Sequence, residues 1–549
     1  MIDDITKKYY NIWLNHPRVN ASMKAELADM DDEEITNIFQ TEPLKFGTAG
    51  VRMKMGPGFQ RLNSFTYQML TEGLSKFLLE KYEKAKKITV VIGHDNRLNS
   101  SHFALICARV LSSFGIKALL FENNELMPTP IISYTVLAYK AHAGINITAS
   151  HNPKIYNGFK IYGSNGAQIL DKEADKIISY CSNFNEILDK VYQLDKSNIA
   201  YISRDNINDY FIAAKKSALI NTFPNVSKNY PIVFTGHHGT SVKKFPRFLK
   251  MLGYQNIIDV KEQNEYDSNF TYSEIVNPED PSSFNLAIKY ADKNNAKIII
   301  ANDPDADRMA IAIKRDDEWR YLTGNEMGII YTYYVLKNKK FNLQPYIVSS
   351  YVSTNLIDRI AKKYNAFVHR TPTGFKYMGN YISDKIGIND LVVAFEEAIG
   401  ALNSSINRDK DGFQAGALAL EIYTTLIKEN KDFVDYLNQI YKEFGYWQGK
   451  TSSFIIKGDN WIQKVDEILK KLLEFNEKEV LNRKITYIGF NEEANCVDWI
   501  FEEDSWIRFR KSGTEPKFKI YYNLYGKSIS ELDSEINSWN AWFKNFLNL

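Results

Sequence analysis

Short apolar, β-branched runs recur along the chain, each followed by a polar loop and then by a stretch whose apolar positions fall three and four apart. Ile88 to Gly93 (ITVVIG) predicts a buried strand, His94-Asp95-Asn96-Arg97 a loop, and Ser101 to Phe114 a helix that ends at Gly115. Lys117 to Phe121 predicts the next strand. Strand, helix, strand at this spacing makes a βαβ unit with a parallel sheet. The same order returns at Pro231 to Gly236, Lys297 to Ala301, Tyr346 to Ser349 and Leu391 to Phe395. Beyond about Thr451 the periodicity changes. A long helical pattern from Trp461 to Phe475 precedes short strands at Ile485 to Phe490, Cys496 to Phe501, Trp506 to Arg510 and Phe518 to Leu524, which predicts an α+β tail.

At ~150 residues per domain, 549 residues make three or four domains. No long Gly/Ser or Pro-rich linker separates them, so the breaks fall in polar stretches. This places α/β domains over 1–205, 206–316 and 317–450, and an α+β domain over 451–549. Hydrophobic residues at 44% and charged ones at 24% exclude a disordered or fibrous chain. Lys+Arg at 68 against Asp+Glu at 66 leaves no electrostatic footprint for nucleic acid or an anionic membrane. The three cysteines, Cys107, Cys181 and Cys496, are far apart, odd in number and without C-x-x-C spacing. They exclude a disulfide framework or conventional zinc site and point to a reducing compartment. The acidic opening Met1-Ile2-Asp3-Asp4 lacks a signal-peptide core, and no window approaches the ~18 apolar residues of a membrane span. The expectation is a cytoplasmic protein, monomer or homodimer, with neither nucleic acid nor membrane as partner.

Candidate chemistry begins at Asn302-Asp303-Pro304-Asp305-Ala306-Asp307-Arg308, directly after the run KIIIA. Carboxylates at i, i+2 and i+4 in an extended loop can converge on one hard cation, and packed so closely they repel unless one neutralises them. The alternative is a solvated acidic turn. An EF-hand counted from Asp303 needs Gly at position six and Glu at twelve, where this chain has Arg308 and Lys314. A Mg²⁺ site with an open position suits phosphate chemistry better.

Thr148-Ala149-Ser150-His151-Asn152-Pro153 follows the apolar run Ala143 to Ile147, so Ser150 lies just past a strand end, where open α/β sheets place ligands. Pro153 forces a turn, and Asn157-Gly158 predicts a second one that returns Lys160 toward Ser150. G-x-S-x-G is absent around Ser150. The segment is therefore either a capped loop or a serine phosphoryl acceptor with a lysine base. In Arg510-Lys511-Ser512-Gly513-Thr514-Glu515-Pro516-Lys517, Arg510 can fork onto phosphate oxygens while Ser512, Thr514 and the Gly513 N–H cradle the rest. A basic hairpin in solvent is the alternative, and no nucleotide P-loop is present. Phe46-Gly47-Thr48-Ala49-Gly50-Val51-Arg52, Thr371-Pro372-Thr373-Gly374-Phe375-Lys376 and Phe395-Glu396-Glu397-Ala398-Ile399-Gly400 are weaker candidates for phosphate or sugar contacts.

In this order, TASHNPKIYNGFK (148–160), DPDADR (303–308) and RKSGTEPK (510–517) resemble the α-D-phosphohexomutase superfamily of phosphoglucomutases and phosphomannomutases, with matches from Gly47 to Lys517. The resemblance implies an α/β fold of four domains around a central cleft, three mixed α/β sheet domains plus a C-terminal α+β domain. It implies that Ser150 carries the phosphoryl group and that Asp303, Asp305 and Asp307 bind Mg²⁺, with the phosphoserine at Ser150 giving a further oxygen. Arg52 and Lys160 fall where the family keeps proton-transfer and phosphate-contacting side chains, and His151 is grouped with these catalytic residues. Substrate binding is implied for Thr48, Arg308, Gly374, Lys376, Glu396, Glu397, Arg510, Ser512, Gly513, Thr514 and Lys517.

One departure is informative. Many members carry a G-E-x-S-G sugar loop, whereas Ala398 here removes the serine hydroxyl. The EEAIG form is similar to the branch that handles glucose phosphates and, in some members, pentose phosphates. The resemblance thus implies an isomerase that interconverts sugar 1-phosphate and 6-phosphate, glucose first, with a sugar 1,6-bisphosphate as activator. Pentose and mannose phosphates are the alternatives. In this scheme Lys160 acts as base, its pKa lowered by burial and neighbouring cations. A Mg²⁺-dependent phosphatase would not need the second phosphate loop, and a non-catalytic sugar-phosphate sensor could tolerate losses that Ser150 and the aspartates have not suffered.

Overall fold

Val90, Val91 and Ile92 are each at most 1% exposed, the state a continuous β-branched run predicts for a central parallel strand. In the computed structural model, which describes residues 2–47, 50–220, 228–456, 460–511 and 517–547, they lie in strand Thr89–His94. That strand pairs in parallel with Lys117–Phe121 and Ala143–Ile147, and helices Ser100–Ser113 and Thr129–Ala138 make the crossovers. Ala143–Ile147 runs antiparallel to Tyr156–Gly163, which pairs antiparallel with Val51–Lys54. Ile199–Ile202 closes the other edge of this six-stranded sheet. Helix Ser64–Lys81 covers it, opened by a capping box in which Asn63 accepts from Phe65 N and Thr66 N.

The second sheet has parallel strands Ile232–Thr235, Ile257–Asp259 and Ile298–Asn302, then an antiparallel meander through Met309–Arg315 and Glu318–Tyr321. The aspartate loop is the turn of its first hairpin. Pro345–Ser350, Phe367–Thr371 and Asp390–Phe395 are the parallel strands of the third sheet, with short Ala401–Leu402 antiparallel at one edge. The fourth sheet is antiparallel throughout and packs helices Trp461–Leu473 and Ile529–Leu547 against its core. Three α/β domains and a fourth, mostly antiparallel β domain with two helices are thus present, as the hydrophobic pattern predicts.

Glu318–Tyr321 belongs with the second sheet, although it lies past the break expected at 316/317, and Tyr446–Ile455 of the fourth sheet spans the break expected at 450/451. Two compact units result. One comprises Met1–Ser217, Ser227–Tyr321 and Ser405–Gln414; the other comprises Ala218–Val226, Leu322–Ser404 and Ala415–Leu549. Among the described residues no helix is long and apolar enough to cross a membrane.

Candidate active site

Ser150 follows strand Ala143–Ile147, is 1% exposed and has φ +51°. A non-glycine residue in this left-handed region costs ~1–2 kcal/mol, so surrounding contacts must hold it there. Thr148 Oγ1 accepts from Ser150 N at 2.9 Å, and Ser150 Oγ donates to Asp303 Oδ2 at 2.7 Å. The turn expected at Asn157-Gly158 is not formed; both residues lie inside strand Tyr156–Gly163. Gly158 is there for closeness rather than for a turn, since a Cβ would sit 2.3 Å from Thr148 O and 2.9 Å from Val51 O. Lys160 reaches the site through the pairing of its strand, opposite Asn146.

Asp303, Asp305 and Asp307 are buried, with one carboxylate oxygen from each inside a 4.8 Å group. Asp303 Oδ1 accepts from Arg308 N at 3.0 Å, and Thr240 N braces the loop through Pro304 O at 2.7 Å. Asp305 Oδ2 accepts from Thr129 Oγ1 and from Lys160 Nζ, both at 2.8 Å, and Asp307 Oδ2 lies 3.2 Å from Lys160 Nζ. The Oδ1 atoms of Asp305 and Asp307 are buried without a hydrogen-bond partner. Burial, with the charges of Asp305 and Asp307, pushes the Asp303 carboxyl well above the usual range. Three hard donors and two buried oxygens without a hydrogen-bond partner fit a divalent cation such as Mg²⁺.

The expected lowering of Lys160 is reversed. Burial works in that direction, but the carboxylates of Asp305 and Asp307 outweigh it and raise the ammonium above its ordinary value. Lys160 is a cation here, held by two aspartates. His151 Nδ1 lies 3.3 Å from Ser150 Oγ. Its side chain keeps 22% exposure, yet it is pushed well below its usual range by desolvation first, then by Arg308 and Arg52. Arg52 donates to Asn152 Oδ1 at 3.2 Å and has a buried Nε without a hydrogen-bond partner. Arg308 pairs with Glu279 at 2.9 Å.

The sequence reading missed the segment Asn407-Arg408-Asp409-Lys410-Asp411-Gly412. Lys410 Nζ lies 3.4 Å from Asp307 Oδ2, and Asp409 Oδ2 accepts from Tyr162 OH at 2.8 Å and Gln168 Nε2 at 2.7 Å. Asp411 accepts from Tyr210 OH at 2.7 Å, while Phe413 is fully buried beside Tyr210, Phe211, Phe245 and Phe248. A dense alternation of charges just before an apolar helix, Gly412–Lys428, was the available signal.

Within the other unit, Glu396 Oε1 accepts from Gly374 N at 2.8 Å, which joins two of the predicted sugar-contacting segments. Lys376 follows on helix Phe375–Asp384 and is buried. Glu397 Oε2 accepts from Ser350 Oγ at 2.9 Å; burial first, then Glu396, raises its carboxyl. Arg510 lies on strand Trp506–Lys511, its Nε buried without a hydrogen-bond partner, and Lys517 opens strand Lys517–Gly526. Thr48, Ser512, Gly513 and Thr514 lie outside the described residues.

A serine hydroxyl bonded to Asp303 within a cluster of three buried carboxylates, with lysines and arginines around it, is an arrangement suited to moving phosphoryl groups. Known proteins narrow this class. Profiles of phosphoglucomutase/phosphomannomutase α/β/α domains I, II and III match residues 43–186, 208–316 and 323–444. A phosphomannomutase of Mycoplasmoides pirum is 46% identical, the alignment covering 100% of each chain. A phosphoglucomutase of Staphylococcus saprophyticus is 32% identical over 96% of this chain and 98% of its own. The solved phosphoglucomutase/phosphomannomutase family protein of Burkholderia thailandensis shares the fold, with a TM-score of 0.66 at 17% identity over 91% of this chain and 97% of that one. The chain belongs to the phosphoglucomutase/phosphomannomutase family of the α-D-phosphohexomutase superfamily and is an isomerase of that type.

Proposed function

We propose that this chain interconverts hexose 1-phosphate and hexose 6-phosphate through a phosphoserine at Ser150 and a bisphosphosugar, with glucose as the principal sugar. The observation that carries the reading is Ser150 Oγ, 2.7 Å from Asp303, beside Asp305 and Asp307, whose buried Oδ1 atoms have no hydrogen-bond partner. Mg²⁺ held by Asp303, Asp305 and Asp307 would supply Lewis-acid neutralisation of the transferred group's charge. Lys160 and Arg52 bring fixed positive charge to the same place. As the sugar O–P bond forms and the Ser150 Oγ–P bond breaks, the sugar hydroxyl proton must pass to Ser150 Oγ. His151 Nδ1, 3.3 Å from Oγ, is placed to carry it. The bisphosphosugar then reorients, and Ser150 takes back the other phosphoryl group.

The sugar would meet Arg308, Gly374, Lys376, Glu396 and Glu397, and its distal phosphate Arg510, Ser512, Gly513, Thr514 and Lys517. The EEAIG form of the sugar loop, with Ala398 in place of a serine, is similar to that of the glucose-phosphate branch and supports glucose over mannose. Mannose is the second reading, favoured by the name of the 46% identical relative. A coupled assay of glucose 1-phosphate with Mg²⁺ and a trace of glucose 1,6-bisphosphate, repeated with mannose 1-phosphate and ribose 1-phosphate, tests the proposal. Turnover dependent on the trace supports the shuttle, and kcat/KM ratios rank the sugars. Phosphate release without isomerisation would make the enzyme a phosphatase instead.

Arg510→Ala is expected to raise KM by about 10–100-fold, the size of a lost charge-assisted hydrogen bond, with kcat little changed. Steady-state kinetics on the best sugar would check this. An unchanged KM would move the distal phosphate site elsewhere.

A further inference from the structure

The serine loop's geometry is held by a residue that touches neither the carboxylates nor Ser150 Oγ in this structure. Arg97, whose side chain is fully buried, aims its guanidinium at the inside of the loop. One terminal nitrogen donates to Ser150 O and Asn152 O, both at 2.6 Å. The other donates to Pro153 O at 2.9 Å and Tyr156 O at 3.0 Å. The guanidinium is itself pinned. Its Nε lies 3.1 Å from Asp95 Oδ2, and Asp95 Oδ1 accepts from Arg97 N at 2.9 Å and Ser100 Oγ at 2.7 Å. The ring of Phe270 covers it, with its centroid 5.2 Å from Cζ.

We propose that Arg97 is the positioning residue for phosphoryl transfer, gathering four carbonyls so that Ser150 stays left-handed with Oγ aimed at Asp303. The planar fork is what makes this possible. Two terminal nitrogens reach carbonyls spread from residue 150 to residue 156, and a lysine of the same charge has one nitrogen to offer. Near-attack geometry is sensitive to displacements of ~1 Å, which can cost ~100-fold in rate. A loosened loop therefore slows the chemical step while the residues proposed to bind the sugar and its distal phosphate stay in place. The inference rests on the reading of Ser150 as nucleophile.

The test compares Arg97→Lys, Arg97→Ala and Ser150→Ala with the wild type, using glucose 1-phosphate and mannose 1-phosphate with Mg²⁺ and the bisphosphate trace. Arg97→Lys is expected to lose about 100-fold in kcat with KM changed by no more than about threefold. Arg97→Ala is expected to regain part of its kcat in ethylguanidinium and none in equimolar ethylammonium. Wild-type kcat in Arg97→Lys, or a loss confined to KM, would overturn the proposal. So would equal rescue of Arg97→Ala by both cations. Should Arg97→Ala fail to fold, the kcat and KM of Arg97→Lys decide alone. An active Ser150→Ala would remove the nucleophile reading itself, whereas an inactive Ser150→Ala beside a fully active Arg97→Lys would overturn this inference only.

Discussion

Ser150→Ala is expected to lower turnover of glucose 1-phosphate by about four orders of magnitude or more, because it deletes the one atom proposed to carry the phosphoryl group. The fold should survive. The substitution removes the Ser150 Oγ hydrogen bond to buried Asp303 and the contact with His151 Nδ1, together ~1–3 kcal/mol, and alanine bears the left-handed backbone of residue 150 at about the same cost as serine. A melting temperature within a few degrees of wild type is the accompanying expectation. Intact mass after incubation with glucose 1,6-bisphosphate should show phosphate on the wild type and none on the variant. The variant should still bind glucose 6-phosphate, since the proposed sugar and distal phosphate contacts lie elsewhere. Undiminished turnover would end the shuttle reading.

Asp305→Asn comes second, with kcat expected to fall by about three orders of magnitude, in keeping with several kcal/mol of charge stabilisation by a bound metal. The amide keeps the shape and can still accept from Thr129, which now donates to Asp305 Oδ2 at 2.8 Å. It removes one of three charges from the cluster, and with it most of the affinity for Mg²⁺. Calorimetric titration with Mg²⁺ should give a dissociation constant at least about 100-fold weaker than wild type. Chelation of the wild type should abolish turnover, and Mg²⁺ should restore it. Wild-type Mg²⁺ affinity in Asp305→Asn would place the metal elsewhere.

The strands were legible because burial leaves short, mainly apolar runs, interrupted at most by a single polar residue such as Asn146 or Asp498. Lys117–Phe121, Ala143–Ile147 and Cys496–Phe501 coincide with their predicted bounds. The aspartate loop was legible for a local reason too, since three carboxylates two residues apart repel wherever they are placed. Asn157-Gly158 misled because the same dipeptide serves a turn and a close approach of backbones, and only the neighbours Thr148 and Val51 tell them apart. The charge state of Lys160 was hidden because the aspartates that fix it are 145 and 147 positions away in sequence. Lys410 was overlooked because charge-rich runs normally face water, whereas Asn407, Asp409, Lys410 and Asp411 are all buried here. Arg97 lay in a segment read simply as a polar loop, and its role depends on where four carbonyls meet.

The segment Ser405–Gln414 also bears on how the chain is made. A ribosome delivers residues 1–321 first, enough to build both sheets of the first unit, yet that unit includes a segment roughly ninety residues further on, or ~5–20 s of synthesis. Until it emerges, the Tyr162 and Tyr210 hydroxyls lack the carboxylates that accept from them, and the ring of Phe413 is missing from its aromatic surroundings. The first unit is thus completed only by a segment encoded late in the message.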